Sequence, residues 1–223
     1  MKQTMPHSHQ AGFIQAALLF GIALMTAILG GFALANRTPT GATDTEEAKV
    51  NASVILKQAS DLRDGVQRYA VDFGSTAVTS TMTFNSTATT GLFDPAARYA
   101  SPQVMPASVF AAGADTTIKS TAPAAGHWYF VENHSGNSVG TGTADPMVAL
   151  PDIKQAVCQR INTMLYGSPT IPTITYTLTD VTTDQAANLA TSAGTAVPAG
   201  WAEGCYQLET SSDYIYFKIV QEN

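Results

Sequence analysis

Residues 11–35 read AGFIQAALLFGIALMTAILGGFALA, and from Phe13 to Asn36 no side chain is charged. From Ala11 to Ala35 only Gln15 and Thr26 are polar. A helix of about 25 residues, rising about 1.5 Å per residue, reaches across a hydrocarbon core of about 30 Å. The segment is therefore expected to span a bilayer. Lys2 is the only lysine or arginine before it, with His7 and His9 adding partial charge, so a weak positive-inside bias sets the N-terminus in the cytoplasm and the bulk of the chain outside.

Three fates fit such a segment. A secretory signal peptide would be cut after Ala33-Leu34-Ala35, which has the small-x-small form, although the apolar run exceeds the roughly 7 to 15 residues of a usual signal core. An uncleaved one-pass anchor also meets the length requirement. The third fate is a short leader, because Met1 to Gly12 is mostly polar and the bond from Gly12 to Phe13 lies at the polar-to-apolar boundary.

In these residues the chain resembles the type IV pilin and pseudopilin family. The resemblance implies a leader over 1–12, cleavage by a prepilin peptidase between Gly12 and Phe13, and N-methylation of Phe13. It further implies a transmembrane and assembly helix over 13–36, held in the bacterial inner membrane as precursor and then buried in an extracellular filament on the cell surface. The partners would be further copies or other pilin subunits. Two positions depart from the family pattern: Ala17 stands where its fifth mature residue is usually glutamate, and Ala11 rather than lysine or arginine precedes Gly12. That glutamate helps to neutralise a neighbour's N-terminal amine, and a buried unpaired ammonium is costly.

Small residues recur along the span at four-residue steps, Ala17 to Gly21 and Ala23 through Ala27 to Gly31, a spacing that lets helices approach closely. Beyond it, Pro39 and Gly41 predict a break over 37–44. Thr43 with Glu46, or Asp44 with Glu47, has capping-box spacing and predicts a fresh helix over 45–73. At about 100° per residue, Ala52, Ile55, Ala59, Leu62, Val66, Tyr69, Ala70 and Phe73 share one flank. Lys57, Asp61, Asp64 and Arg68 share the other as i,i+4 pairs, and Arg63 is an exception at the edge of the apolar flank.

Residues 74–223 are enough for one domain with a sizeable core, rich in Thr, Ser, Ala and Gly, a composition that favours strands and loops. A net charge of −6 with no basic cluster excludes nucleic acid as an expected partner. Strands are expected over Val78–Phe84, over His127–Val131 as the central one, and over Ile174–Val181. A short helix is expected from Pro151-Asp152 to Gly167, and a closing hairpin from Cys205–Glu209 and Tyr214–Val220 across Thr210–Asp213. Asn133–Asp145 and Ala186–Ala199 read as loops.

Cys158 and Cys205 are the only cysteines, and in an exported chain an isolated pair is expected to form a disulfide, the alternative being two buried thiols. The family resemblance implies the same, a bridge closing a segment of the head near its last strands. His127 and His134 have no partners at metal-ligand spacing, Asp180 and Asp184 are too sparse for a calcium loop, and no catalytic motif occurs. No enzyme activity and no cofactor are expected. The expectation is thus an α+β chain, a long N-terminal helix of membrane half, break and amphipathic half packed on an antiparallel β-sheet head with a C-terminal disulfide. Its function would be that of a filament subunit. The alternative is a membrane-anchored or secreted extracytoplasmic binding domain that does not polymerise.

Overall fold

The computed structural model describes residues 40–84, 90–97, 99–101, 104–112, 128–140, 144–182, 187–189 and 195–222. The leader 1–12, the apolar span 13–36 and His127 lie outside them. Among the described residues no helix is long and apolar enough to cross a membrane.

Helix α1 is described over Thr40–Phe73. Residues 40–44, expected in the break, are therefore helical, and neither Thr43 nor Asp44 stands at a helix start. A glycine inside a helix costs only about 1 kcal/mol relative to alanine, less than the packing of the remaining turns returns, so Gly41 does not end it. Ala48, Ala52, Ile55, Ala59, Leu62, Val66 and Tyr69 are buried. Phe73, grouped with them by the wheel, is 48% exposed. Its ring still packs, tilted, against that of Tyr69 one turn back, centroids 4.7 Å apart.

Val78–Phe84 corrects the sequence expectation. Helix α2 covers Ser75–Ser80, and only Thr83 makes an isolated bridge, to Gly91. The buried residues there, Val78 and Met82, are four apart, a spacing that suits either a strand's period of two or one helix face. A 3-10 turn lies further on, at Ala107–Val109.

The head is built on a five-stranded sheet. In chain order its members and neighbours are β1 (Tyr129–Val131), β2 (His134–Ser135), β3 (Met147–Leu150), α3 (Gln155–Tyr166), β4 (Thr173–Ile174), α4 (Leu178–Thr182), β5 (Ala187–Asn188), β6 (Glu203–Leu208) and β7 (Tyr214–Ile219). The strand order is β1-β3-β7-β6-β4, while β2 and β5 form a separate parallel pair inside segments that read as loops. The four strands from β1 to β6 are antiparallel, but β4 runs parallel to β6. The sheet is thus mixed, not antiparallel throughout. The chain is α+β.

The aromatic run expected as the central strand supplies β1, Tyr129–Val131, which lies at the edge of the sheet. The central place belongs to β3 and β7, whose residues are buried on both faces apart from half-buried Tyr214. One face of the sheet carries Val148, Leu150, Cys205 and Tyr216 into a core shared with α1 and α3. The other carries Met147, Ala149, Tyr206, Ile215, Phe217 and Ile219 into a second core with Ile174, Val181, Leu189 and Val197. Strands covered on both faces lose the alternation of polar and apolar residues, which is why β3 gave no strand signal.

Helix α3 begins at Gln155, later than Pro151, because Asp152 adopts φ 60° and Ile153 bridges Phe110. It ends at Gly167, whose φ of 72° is left-handed and lets its N–H donate to the Thr163 carbonyl at 2.9 Å. The strand expected over Ile174–Val181 stops at Ile174. Asp180 Oδ2 accepts from both N–H and hydroxyl of Thr177, each at 2.8 Å, a reciprocal cap that starts α4.

Gly65 shows how closely α1 is overlaid. A Cβ there would lie 2.8 Å from the Tyr99 carbonyl oxygen and 2.8 Å from Ala100 Cβ. Gly65→Ala should destabilise by about 1 to 3 kcal/mol, since backbone must shift to admit a methyl that helix propensity alone would welcome. Equilibrium unfolding in urea checks this; an unchanged or raised midpoint would mean the 99–100 segment yields freely.

Candidate functional site: the seam between helix and sheet

A small set of polar and covalent links fixes α1 and α3 to the sheet. The β6–β7 register sets Glu203 opposite Lys218 and Cys205 opposite Tyr216, all on the face toward α1. Lys218 is only 7% exposed. Its Nζ donates to Glu203 Oε2 at 3.0 Å and to Ser60 Oγ of α1 at 3.0 Å. Glu203 Oε1 accepts from the Tyr216 hydroxyl at 2.6 Å, and the Glu203 carbonyl accepts from the Tyr166 hydroxyl of α3. One ion pair thereby links α1, α3, β6 and β7. Two further polar contacts cross the seam: Trp128 Nε1 donates to Gln58 Oε1 at 3.1 Å, and Ser108 Oγ to Asn51 Oδ1 at 3.1 Å. At the start of the seam, Lys154 pairs with Glu47 at 3.2 Å, both well exposed and so worth little.

Cys158 of α3 and Cys205 of β6 form a disulfide with Cα atoms 5.5 Å apart, both fully buried. The expected pairing is the one observed. Beside it, the buried Asn162 amide takes the place of a neighbouring strand: its Oδ1 accepts from Cys205 N–H and its Nδ2 donates to the Cys205 carbonyl, each at 2.9 Å, with a further bond to the Thr170 carbonyl. Sequence reasoning missed Asn162, Glu203, Lys218 and Ser60. A lysine inside the apolar run of β7 was the available signal, since such a side chain is rarely buried unpaired.

Gly12 and Phe13, the expected cleavage and methylation sites, lie outside the described residues. His134 is buried on β2, its ring 6.3 Å from that of Tyr176. Among the described residues no group of three or more His, Cys, Asp or Glu side chains could hold a metal ion.

Several tyrosines of the head resist ionisation. Tyr99 is pushed up to about 12, first by its 2.7 Å hydrogen bond to the Asp72 carboxylate and then by burial. Tyr166 is likewise raised to about 12, by burial and the nearby Glu203 carboxylate, and burial drives Tyr206 and Tyr216 higher than their ordinary 10. Because the folded values lie above the unfolded one, the stability they confer is intact below pH 10 and is lost as the pH climbs through about 12. Ultraviolet titration should therefore show a late-ionising tyrosine group whose release coincides with loss of the circular dichroism signal above pH 10. A single ordinary transition with the fold retained would contradict it.

Comparison with known proteins identifies no relative: no protein-family model, curated protein or solved structure matches the chain.

Proposed function

We propose that the chain is a structural subunit of a type IV pilus or pilus-like filament, assembled through its apolar N-terminal helix after removal of residues 1–12. The observation that carries this reading is the uncharged run that starts at Phe13, directly behind a short polar leader ending in Gly12. The order of the elements beyond that run supports it: a long amphipathic helix, a sheet on which that helix lies, and a disulfide reaching the last hairpin. The mechanism is assembly: storage in the inner membrane, leader removal, extraction, and burial of the apolar helix among its neighbours.

The test is made in the native host. Gly12→Leu should block maturation and leave full-length precursor in the membrane. Ala27→Asp should cost about 2.5 to 3.5 kcal/mol of insertion and abolish filaments even where protein still reaches the membrane. Normal processing of the first variant, or unchanged filament yield from the second by shearing and electron microscopy, would defeat the proposal. The second reading, an anchored or secreted binding domain, draws on Ala17 in place of the family's glutamate and on the alternative cleavage form at Ala33-Leu34-Ala35.

A further inference from the structure

Cys158 and Cys205 are both fully buried, and so is Asn162 beside them. Thiol–disulfide exchange needs a thiolate to reach one of the two sulfurs, so access governs whether the bridge can be reduced. Access is closed at both ends of the bond. On α3, Cys158 sits in one core with buried Val157 and Ile161; on the sheet, Cys205 is paired with Tyr216 of β7, buried in that same core.

Lifting α3 alone offers no short way in. At Cys205 the side of β6 turned away from β7 is capped by the Asn162 amide, which holds both the Cys205 N–H and its carbonyl and reaches on to the Thr170 carbonyl. One turn further along α3, the Tyr166 hydroxyl donates to the Glu203 carbonyl of the same strand, and its ring stacks on Trp201 with centroids 3.8 Å apart. The bond itself joins the two elements that would have to part, since Cys158 lies on α3 and Cys205 on β6. Separating them far enough to admit a reductant breaks up the core that both share with α1.

We propose that the bridge is a redox lock, opened to thiols only when the head unfolds as a whole. Its redox state is set as the head folds and is not changed by surrounding thiols afterwards. In the exchange, a thiolate of dithiothreitol attacks one sulfur and displaces the other cysteine as a thiolate. The reagent's second thiol then closes a cyclic disulfide and releases the first cysteine, and both cysteines take up protons. The experiment follows that reduction by alkylation and mass in the full chain dispersed in a non-ionic detergent, from no urea to just below the unfolding transition. Reduction without urea should be at least about a thousandfold slower than in the unfolded chain, and its logarithm should rise with urea as steeply as that of the unfolding constant. Ile215→Val alters the core on the opposite face of the sheet, which lifting α3 would leave undisturbed. It should quicken reduction about two- to tenfold, by the same factor as it raises the unfolding constant. A rate without urea within about tenfold of the unfolded chain's, a shallower urea dependence, or an Ile215→Val variant that raises the unfolding constant but not the rate would each overturn the lock. The lock belongs to the head alone, so neither its failure nor that of the filament reading bears on the other.

Discussion

Replacing Cys158 and Cys205 together by alanine should cost about 4 kcal/mol, because the bridge closes a loop of 47 residues in the unfolded chain. The chain-entropy relation gives that figure for a loop of this length, within the roughly 2 to 5 kcal/mol that loss of a native disulfide costs small secreted domains. At about 2 to 4 °C per kcal/mol for a domain of this size, the melting temperature should fall by roughly 8 to 16 °C. Alanine is the right replacement, since both sites are fully buried and a serine hydroxyl would add a second penalty. Thermal melts of oxidised protein, reduced protein and the double variant check this. The last two should melt together, well below the first; coincident melting of all three would mean the bridge adds nothing.

Glu203→Ala should be comparably damaging, at about 3 to 5 kcal/mol, because it strands a buried ammonium. Lys218 would keep only Ser60 Oγ, and the Tyr216 hydroxyl would lose its carboxylate acceptor. The effect arises from an unpaired charge, so removing both charges should restore much of it. Glu203→Leu combined with Lys218→Met is expected to recover most of the loss, falling short of wild type by the about 1 to 3 kcal/mol of a buried Tyr216 hydroxyl left without its acceptor. Urea unfolding midpoints of wild type, single and double variants decide the matter. If Glu203→Ala lies within about 1 kcal/mol of wild type, the pair behaves as an ordinary surface salt bridge.

Much of the amphipathic half of α1 was legible because burial on one flank leaves a 3.6-residue period in the sequence. The limits of α3 were partly legible: Gly167 marks its end as read, whereas its start was displaced by the bridge from Ile153 to Phe110, a contact between segments far apart in sequence. The hairpin was legible but its register was not. Pairing outward from a loop at Thr210–Asp213 would set Lys218 across from Cys205; the observed register sets it across from Glu203. A two-residue offset leaves every side chain on its own face, so hydrophobic patterning cannot detect it. The Glu203–Lys218–Ser60 link was hidden for that reason. The parallel edge strand β4 was obscured by length, since a pair of residues carries no period.

The most direct measurement is the N-terminal mass of the mature chain isolated from its native host. The filament account predicts a chain that begins at Phe13 and carries one N-methyl group on that residue. A chain beginning at Asn36, as a secreted domain would, or retaining Met1, as an uncleaved anchor would, contradicts it.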